Sequence, residues 1–313
     1  MVPSGLVLAA LVLVLALVVD RVIGDPHSGY HPVALLGRFI NWWGRPARYV
    51  PRFQRSAGIV FWVVTASLFA LPFFLFARFA PWFAYLCVAP FLLKCCFAWR
   101  SLEEHTLAVV AALEEGVESG REQVKLLVSR DTARLDPAHI RSAAYESMTE
   151  NLTDSIISPL FYFSVFGLCG AAVYRAANTM DAMLGYRDER ARIGWCSARM
   201  DDLFNYIPAR ITALLLLLYF MFRGTGARAF RVMRRDRKLR PGFNGGIVMA
   251  VMAGGCGICF EKPGVYTIGN GENTLETGGR EIVRAVRVVS LAFATIAGGT
   301  LVLLAWLINS TFI

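Results

Sequence analysis

The stretch IISPLFYFSVFGLCGAAVY, residues 156–174, contains nineteen residues without a single charged side chain. A helix of about 20 apolar residues is long enough to cross the hydrocarbon core of a bilayer. Four further uncharged stretches occur at residues 1–19, 57–77, 79–93 and 288–313. Because 56% of the 313 residues are hydrophobic and only 18% are charged, the sequence predicts an all-α, polytopic integral membrane protein.

Two stretches depart from this simple pattern of apolar helices. Residues 99–151 carry apolar side chains at helical spacing with charges between them, which predicts mainly aqueous amphipathic helices. Residues 241–260 are uncharged but contain six glycines, which favours packed or re-entrant backbone over a lipid-facing helix. No linker or internal repeat divides the chain. Residues 1–313 are therefore predicted to form a single membrane-embedded domain with re-entrant or broken segments and a soluble helical insert.

The net charge of +9 is spread over the loops between the apolar stretches. Arginines that flank membrane segments account for this distribution. No basic stripe alternates with exposed aromatic residues, so nucleic acid is not an expected partner and the lipid bilayer is.

The stretch ESMTENLTDS, residues 146–155, directly precedes the apolar run. In a helix, Glu146, Glu150 and Asp154 lie on one face at spacings of four residues. Like charges at this spacing repel each other, and a magnesium ion relieves the repulsion because it prefers oxygen ligands. A solvated helix start, where acids interact favourably with the helix dipole, explains the same pattern. The residues alone leave both interpretations open.

Three further polar clusters lie beside apolar segments. They contain Asp20, Asp25 and His31; Asn178, Asp181, Arg187 and Arg190; and Arg199, Asp201, Asp202, Asn205 and Arg210. Charged groups near membrane depth are expensive and commonly mark function. For Asp25 and His31, structural and functional roles are weighted equally. Carboxylates, amides and arginines together are suited to binding magnesium-bound phosphate and to stabilising anionic transition states.

Four motifs occur in order along the chain. They are D-x3-GDP-x4-HPV-x3-G-x2-I at residues 20–40, ES-x2-EN-x2-DS-x3-PLFY at 146–162, RA-x-NTMDAM-x-GYR at 175–187, and AR-x-DD-x2-N-x2-PAR-x-T at 198–212. On these motifs the chain resembles the adenosylcobinamide-phosphate synthase family of cobalamin biosynthesis, from residue 20 to about residue 269. One motif departs from the family, because Val248 and Met249 stand where its last motif has Pro-Glu.

The resemblance implies a membrane ligase that joins adenosylcobyric acid to (R)-1-aminopropan-2-yl phosphate, or a related amino-alcohol phosphate, with ATP and Mg²⁺. Combined with the residue chemistry, it gives three groups of expected site residues. The catalytic group is Glu146, Glu150, Asp181 and Asp202, and the metal ligands are Glu146, Glu150, Asp154 and Asp202. The substrate- and phosphate-binding group is Asp25, His31, Asn151, Asn178, Arg187, Arg199, Asn205, Arg210 and Asn244. These residues are expected to converge on one polar cavity.

The expected location is the cell membrane, with multiple crossings and an active site that faces the cytoplasm, where ATP is available. Residues 156–174 and 211–222 are therefore predicted not to separate the polar clusters across the bilayer. A possible homo-oligomer is left open by the sequence. Two alternatives are another magnesium-dependent membrane transferase, of the prenyl or CDP-alcohol type, and a transporter. The Asp-rich spacings of the former do not occur in residues 198–205, and the inverted repeats of the latter are not found in the sequence.

Overall fold

The computed structural model describes residues 5–25 and 31–311, and most of these residues are helical. Pro26 of the GDP motif and residues 1–4 and 312–313 of the terminal apolar stretches lie outside the described residues. Five helical segments are long and apolar enough to cross a membrane: Gly5–Val22, Pro51–Phe79, Trp82–Glu115, Pro137–Leu184 and Leu275–Thr311. The helices Trp195–Phe204 and Tyr206–Phe222, taken as one span, would make a sixth. The prediction of an all-α, multi-pass membrane protein is confirmed.

The chain divides into two compact units. Unit 1 comprises the described parts of Met1–Ala98, Ser158–Asn205 and Ala294–Ile313, and unit 2 comprises Trp99–Ile157 and Tyr206–Phe293. The single domain expected from the sequence stays a prediction.

Unit 1 is a bundle of apolar helices. Its helices are α1 (Gly5–Val22), α2 (Pro32–Trp43), α3 (Gln54–Phe79), α4 (Trp82–Lys94), α8 (Ser158–Leu184), α9 (Trp195–Phe204) and the second half of α13 (Leu275–Thr311), with short 3₁₀ turns at Pro46–Arg48 and Pro51–Phe53. Its core brings α2, α3 and α8 together, and the rings of Trp43 and Phe61 stack 5.5 Å apart. Helix α8 is broken at Gly167, where φ is +65°. Only glycine adopts that conformation without strain.

Unit 2 contains α5 (Trp99–Glu115), α6 (Val117–Val124), α7 (Pro137–Asn151), a π-helical turn (Leu152–Ile157), α10 (Tyr206–Phe222), α11 (Gly226–Asp236) and α12 (Gly245–Cys256), together with the first half of α13 (Leu275–Thr311). Helix α12 is buried along nearly its whole length. A Cβ atom at Gly254 would lie 2.7 Å from Val232 Cβ and 2.9 Å from Ala229 Cα. Glycine therefore lets α11 and α12 pack backbone to backbone, in agreement with the packed segment expected for residues 241–260.

Helix α7 differs from the exposed amphipathic helices expected over residues 99–151. Every residue from 142 to 149 is buried. Small side chains at Ser142, Ala143, Ala144 and Ser147 let neighbouring elements approach the helix from several sides. Glu146 therefore lies within the body of unit 2, whereas a quarter of the Glu150 side chain is exposed.

The sequence analysis did not predict the two-stranded antiparallel sheet of unit 2. Strands β1 (Cys259–Lys262) and β2 (Tyr266–Gly269) pair Cys259 with Gly269 and Lys262 with Tyr266. The turn between them has Pro263 followed by Gly264 at φ +72°, and Val265 N donates to Lys262 O over 2.9 Å. Proline followed by a glycine of positive φ is typical of a type II turn. This dipeptide was the available sequence signal.

Candidate active site

Unit 2 contains an open cavity of about 320 Å³ that is lined mainly by polar side chains. Helix α7 contributes Glu146 and Glu150, the segment after α11 contributes Arg240, the loop before α7 contributes Arg130, and β2 contributes Tyr266. A volume of this size lies at the lower end of the range of small-molecule sites. Two of the four residues expected to be catalytic thus line one pocket.

Glu146 is the more buried of the two carboxylates, with 2% of the residue exposed. Its carboxylate accepts hydrogen bonds from Arg130 Nη2 and Ser142 Oγ, both at 2.6 Å, and from Tyr266 OH at 2.8 Å. A buried carboxylate is tolerated when it is paired with a cation and its remaining lone pairs are satisfied. Glu146 is therefore held in one position.

Glu150 has a different environment. Both of its oxygens accept hydrogen bonds from Arg240, with Nε at 2.5 Å and Nη2 at 2.9 Å. About a quarter of each side chain is exposed, 25% for Glu150 and 26% for Arg240. Burial alone would lower the pKa of Arg240, but the charge and hydrogen bonds of Glu150 hold that pKa above its ordinary value. The arginine is thus a permanent cation of the pocket.

Tyr266 reaches the pocket from the hairpin. Burial, and then the nearby charges of Glu146 and Glu150, raise the pKa of the Tyr266 phenol well above its ordinary value. The phenol therefore stays protonated and donates a hydrogen bond at any physiological pH.

The pocket contains more cations than carboxylates. Arg130, Arg240 and Lys262 line it together with Glu146 and Glu150. Within residues 5–25 and 31–311, Arg130 Nη1 is buried without a hydrogen-bond partner, and Lys262 forms no ion pair with any described residue. Unused donors around a cavity with surplus positive charge are suited to an anionic ligand with several acceptor oxygens.

The third expected carboxylate, Asp154, lies in the π-helical turn and does not line this cavity. Its charge nevertheless contributes to the raised pKa of Arg240, so it lies close to the pocket. Asn151 does line the pocket. Its amide donates to Ser147 O and its oxygen accepts from Ser155 Oγ, which supports the helix where α7 ends.

Two other expected residues of unit 2 contact each other. Arg210 Nη1 donates to Asn244 Oδ1 over 2.6 Å and its Nη2 donates to Phe243 O over 3.2 Å. The guanidinium also lies over the ring of Tyr206, 3.6 Å from its centroid. These partners of Arg210 are a neutral amide, a carbonyl and an aromatic ring, and none of them is an anion.

Unit 1 contains a buried network around Asn205. The Asn205 oxygen accepts hydrogen bonds from Ser158 Oγ at 2.6 Å and Tyr174 OH at 2.9 Å, and its amide donates to Asp201 over 3.0 Å. Asn178 donates to the other oxygen of Asp201 over 3.3 Å. Asn178 and Asn205 were expected site residues, whereas Asp201 was named in the same polar cluster but was given no role in the site. Its position four residues before Asn205 on one helix face was a usable signal.

The Asp25–His31 cluster also lies in unit 1. Lys94 bridges Asp25 at 2.6 Å and the buried Asp20 at 3.1 Å. His31 caps α2, because its Nδ1 accepts a hydrogen bond from Val33 N over 3.3 Å. Burial lowers the pKa of His31, which favours the neutral ring that this cap requires. The cap supports the structural interpretation of His31. The sequence analysis did not anticipate Lys94 as the partner of Asp25.

The remaining expected residues belong to unit 1. Asp181 lies on α8, Arg187 lies between α8 and α9, and Arg199 and Asp202 lie on α9. The expected convergence of all these residues on one polar cavity stays a prediction.

The residues of the pocket can be compared with the needs of magnesium and ATP. Among residues 5–25 and 31–311, no three His, Cys, Asp or Glu side chains group closely enough to hold a metal ion by themselves. Magnesium is commonly bound by only one or two carboxylates together with substrate phosphates. The partly exposed Glu150 and the neighbouring cations fit that mode, so the metal roles of Glu146, Glu150, Asp154 and Asp202 stay predictions.

Fold and site together define a multi-pass helical membrane protein with an arginine–carboxylate pocket. The family model described as CobD/Cbib protein matches residues 13–292, and the chain belongs to this family. The expected resemblance is thereby confirmed.

Three relatives are similar over most of their lengths. The probable cobalamin biosynthesis protein CobD of Methanothermobacter thermautotrophicus is 38% identical over 298 residues, covering 94% of this chain and 98% of the relative. The protein of the same description from Thermococcus kodakarensis is 42% identical and covers 88% of both chains. The cobalamin biosynthesis protein CobD of Dehalococcoides mccartyi is 36% identical, covering 83% and 86%. No solved structure shows a significant match. The chain has a role in cobalamin biosynthesis.

Proposed function

We propose that the protein is an ATP-dependent ligase that joins adenosylcobyric acid to (R)-1-aminopropan-2-yl phosphate, or a related amino-alcohol phosphate, to give adenosylcobinamide phosphate. The observation that carries the proposal is the pocket of unit 2, where three cations and two carboxylates surround one cavity. Membership of the family and the role in cobalamin biosynthesis support it. Its active site is proposed to face the cytoplasm, where ATP is available.

The chemistry explains why such a pocket is needed. A carboxylate and an ammonium do not condense readily in water, and magnesium-bound ATP would supply the phosphoryl group that activates the acid. Arg130, Arg240 and Lys262 would bind phosphoryl oxygens and offset their charge. A carboxylate in reach of the ammonium would accept its proton, since only the free amine is a nucleophile.

The two carboxylates of the pocket suit different tasks. Glu146 is fully hydrogen-bonded and buried, so we assign it the positioning of Arg130 and Tyr266. Glu150 is partly exposed and shares only Arg240, so it is the better candidate for contact with substrate or magnesium. Asp202, which lies on α9 of unit 1, retains in the proposal the catalytic role that the sequence motif assigns to it.

The test is ATP-dependent consumption of the corrinoid acid by purified protein in detergent, followed with the amino-alcohol phosphate present and absent. Glu150→Gln and Asp202→Asn should each lose most of the turnover while the protein still inserts and folds. Glu122→Gln, which removes a charge from the exposed pair with Lys125 on α6, should retain normal turnover. Near-normal rates for both carboxylate variants at saturating Mg²⁺ would contradict the assigned roles, and no corrinoid consumption by the wild type would contradict the ligase.

A further inference from the structure

The two arginine–glutamate pairs of the pocket differ in how easily the arginine can exchange its glutamate for another anion. Removing Arg130 from Glu146 would leave a carboxylate that is almost completely buried, which is strongly unfavourable. Glu150 is a quarter exposed. Among the described residues, the only hydrogen-bond partner of its carboxylate is Arg240. If another anion occupied Arg240, the Glu150 carboxylate could be hydrated where it stands.

A phosphoryl group can accept from Arg240 the same pair of hydrogen bonds that Glu150 accepts. Arg240 presents Nε and Nη2 to the two carboxylate oxygens as a bidentate fork. Bidentate arginine binds carboxylate and phosphate in the same geometry. Glu150 and an entering phosphoryl group therefore compete for one fork, and only one of them can occupy it.

The surroundings of the fork favour the phosphoryl group once it enters. Lys262 forms no ion pair with any described residue, and Arg130 Nη1 is buried without a hydrogen-bond partner in the described chain. Both line the cavity that contains Arg240. A phosphoryl group carries more acceptor oxygens than a carboxylate, so it can use these donors in addition to the fork, whereas Glu150 cannot.

We propose that the Arg240 fork is the phosphoryl-binding subsite of the pocket and that Glu150 occupies it until an anionic phosphoryl group displaces the carboxylate. The number of charge-assisted hydrogen bonds to Arg240 is conserved in this exchange. The released Glu150 carboxylate then faces the pocket beside the bound phosphoryl group, available for an ammonium or a divalent cation. The inference rests on the proposed function for the identity of the ligand, but the exchange itself is a property of two side chains.

The exchange predicts that removing a pocket carboxylate improves binding. The probe is inorganic pyrophosphate, titrated calorimetrically without divalent cations into purified full-length protein in detergent. Glu150→Gln should bind pyrophosphate about tenfold more tightly than the wild type, equivalent to about 1.4 kcal/mol, because no carboxylate has to be displaced from the Arg240 guanidinium. Arg240→Gln should bind more weakly than the wild type, and Glu122→Gln should match it.

A double-mutant cycle separates this exchange from a general change of the electrostatic field. In an Arg240→Gln background, Glu150→Gln should change the affinity by less than about twofold, since there is no fork to release. A purely electrostatic effect of losing one negative charge would persist in that background. If Arg240→Gln does not fold, Arg240→Lys replaces it, because lysine keeps the charge but lacks the fork.

The outcomes decide the proposal. Equal or weaker binding by Glu150→Gln, an equal gain in the Arg240→Gln background, or no binding by any variant would each overturn it. The titration uses neither corrinoid nor amine, so it does not depend on the ligase reaction. If the cycle gives the predicted affinities but the wild type shows no ligation, only the proposed function is wrong. If ligation occurs but the cycle does not give the predicted affinities, only the proposed exchange of Glu150 for a phosphoryl group is wrong.

Discussion

The ion pair between Arg130 and Glu146 provides a direct test of how the pocket is held together. Replacing Arg130 with Gln removes the cation next to a carboxylate of which 3% of the side chain is exposed. The carboxylate keeps its hydrogen bonds from Ser142 and Tyr266. It therefore loses its charge compensation but not all of its donors.

The size of the effect follows from this geometry. Removing one partner of a buried ion pair typically destabilises a protein by 3–5 kcal/mol. Because two donors remain on Glu146, we expect Arg130→Gln to destabilise unit 2 by about 3 kcal/mol. For a unit of this size, that corresponds to a fall in melting temperature of roughly 6–12 °C. Lys125→Gln breaks an exposed pair with Glu122 and should change the melting temperature by less than about 2 °C.

Thermal unfolding can be followed in detergent with a thiol-reactive dye. The buried Cys256 of unit 2, kept as the sole cysteine, would report the opening of this unit. The double variant Arg130→Met, Glu146→Met removes both charges and should melt above Arg130→Gln, because no uncompensated carboxylate is left buried. If Arg130→Gln melts within about 2 °C of the parent, the burial argument for Glu146 is refuted.

Three further predictions concern other parts of the molecule. Burial alone would raise the pKa of Asp236, but hydrogen bonds from its arginine neighbour and a β2 backbone N–H hold it below the ordinary value. The contribution of the ionised Asp236 to the stability of the fold is complete above the unfolded pKa of about 3.9 and is lost as the pH falls through the lower folded pKa. The higher melting temperature of the wild type relative to Asp236→Asn at pH 7 should therefore shrink below about pH 4. Gly254→Ala should destabilise the α11–α12 contact by about 1–3 kcal/mol, whereas Gly299→Ala, with no atom within 4 Å of the new Cβ, should melt normally. Single cysteines next to Glu150 and near Arg187, in a cysteine-free background, should react with an impermeant reagent from the same side of the membrane, and labelling from opposite sides would refute the predicted topology.

The helical framework was largely predictable because its signal is local. Apolar runs that lack charges mark helices whatever their partners are. Glu146, Glu150 and Asn151 were also predictable as members of one pocket, because they lie within two turns of one helix. Lys94 was not, since it ends an apolar helix and its two acidic partners lie about 70 residues earlier in the chain.

The cations of the pocket could not be assigned from the sequence. Arg240 ends the basic stretch RVMRRDRKLR, residues 231–240, whose pattern favours a solvated loop. In the structure it pairs with a glutamate 90 residues earlier in the chain. Tyr266 lies on a hairpin 120 residues after its acceptor Glu146. Pairings over such distances depend on how the helices pack, and neither local periodicity nor composition contains that information.

The acidic stretch at residues 146–155 meets the apolar run at residues 156–174. A local rule predicts an interruption of the regular α-helix at this junction, but it does not predict where the residues around the interruption lie. Pro159 has no N–H to donate to Ser155 O, and its ring clashes with the carbonyl four residues earlier in a regular helix. The chain meets this constraint with the π-helical turn at Leu152–Ile157, in which each hydrogen bond spans five residues in place of four. Asp154 lies in this turn and does not line the cavity. Proline therefore predicts an interruption before residue 159, whereas the packing of the buried Leu152, Ile156 and Ile157 decides where the extra residue is placed and which acids reach the pocket.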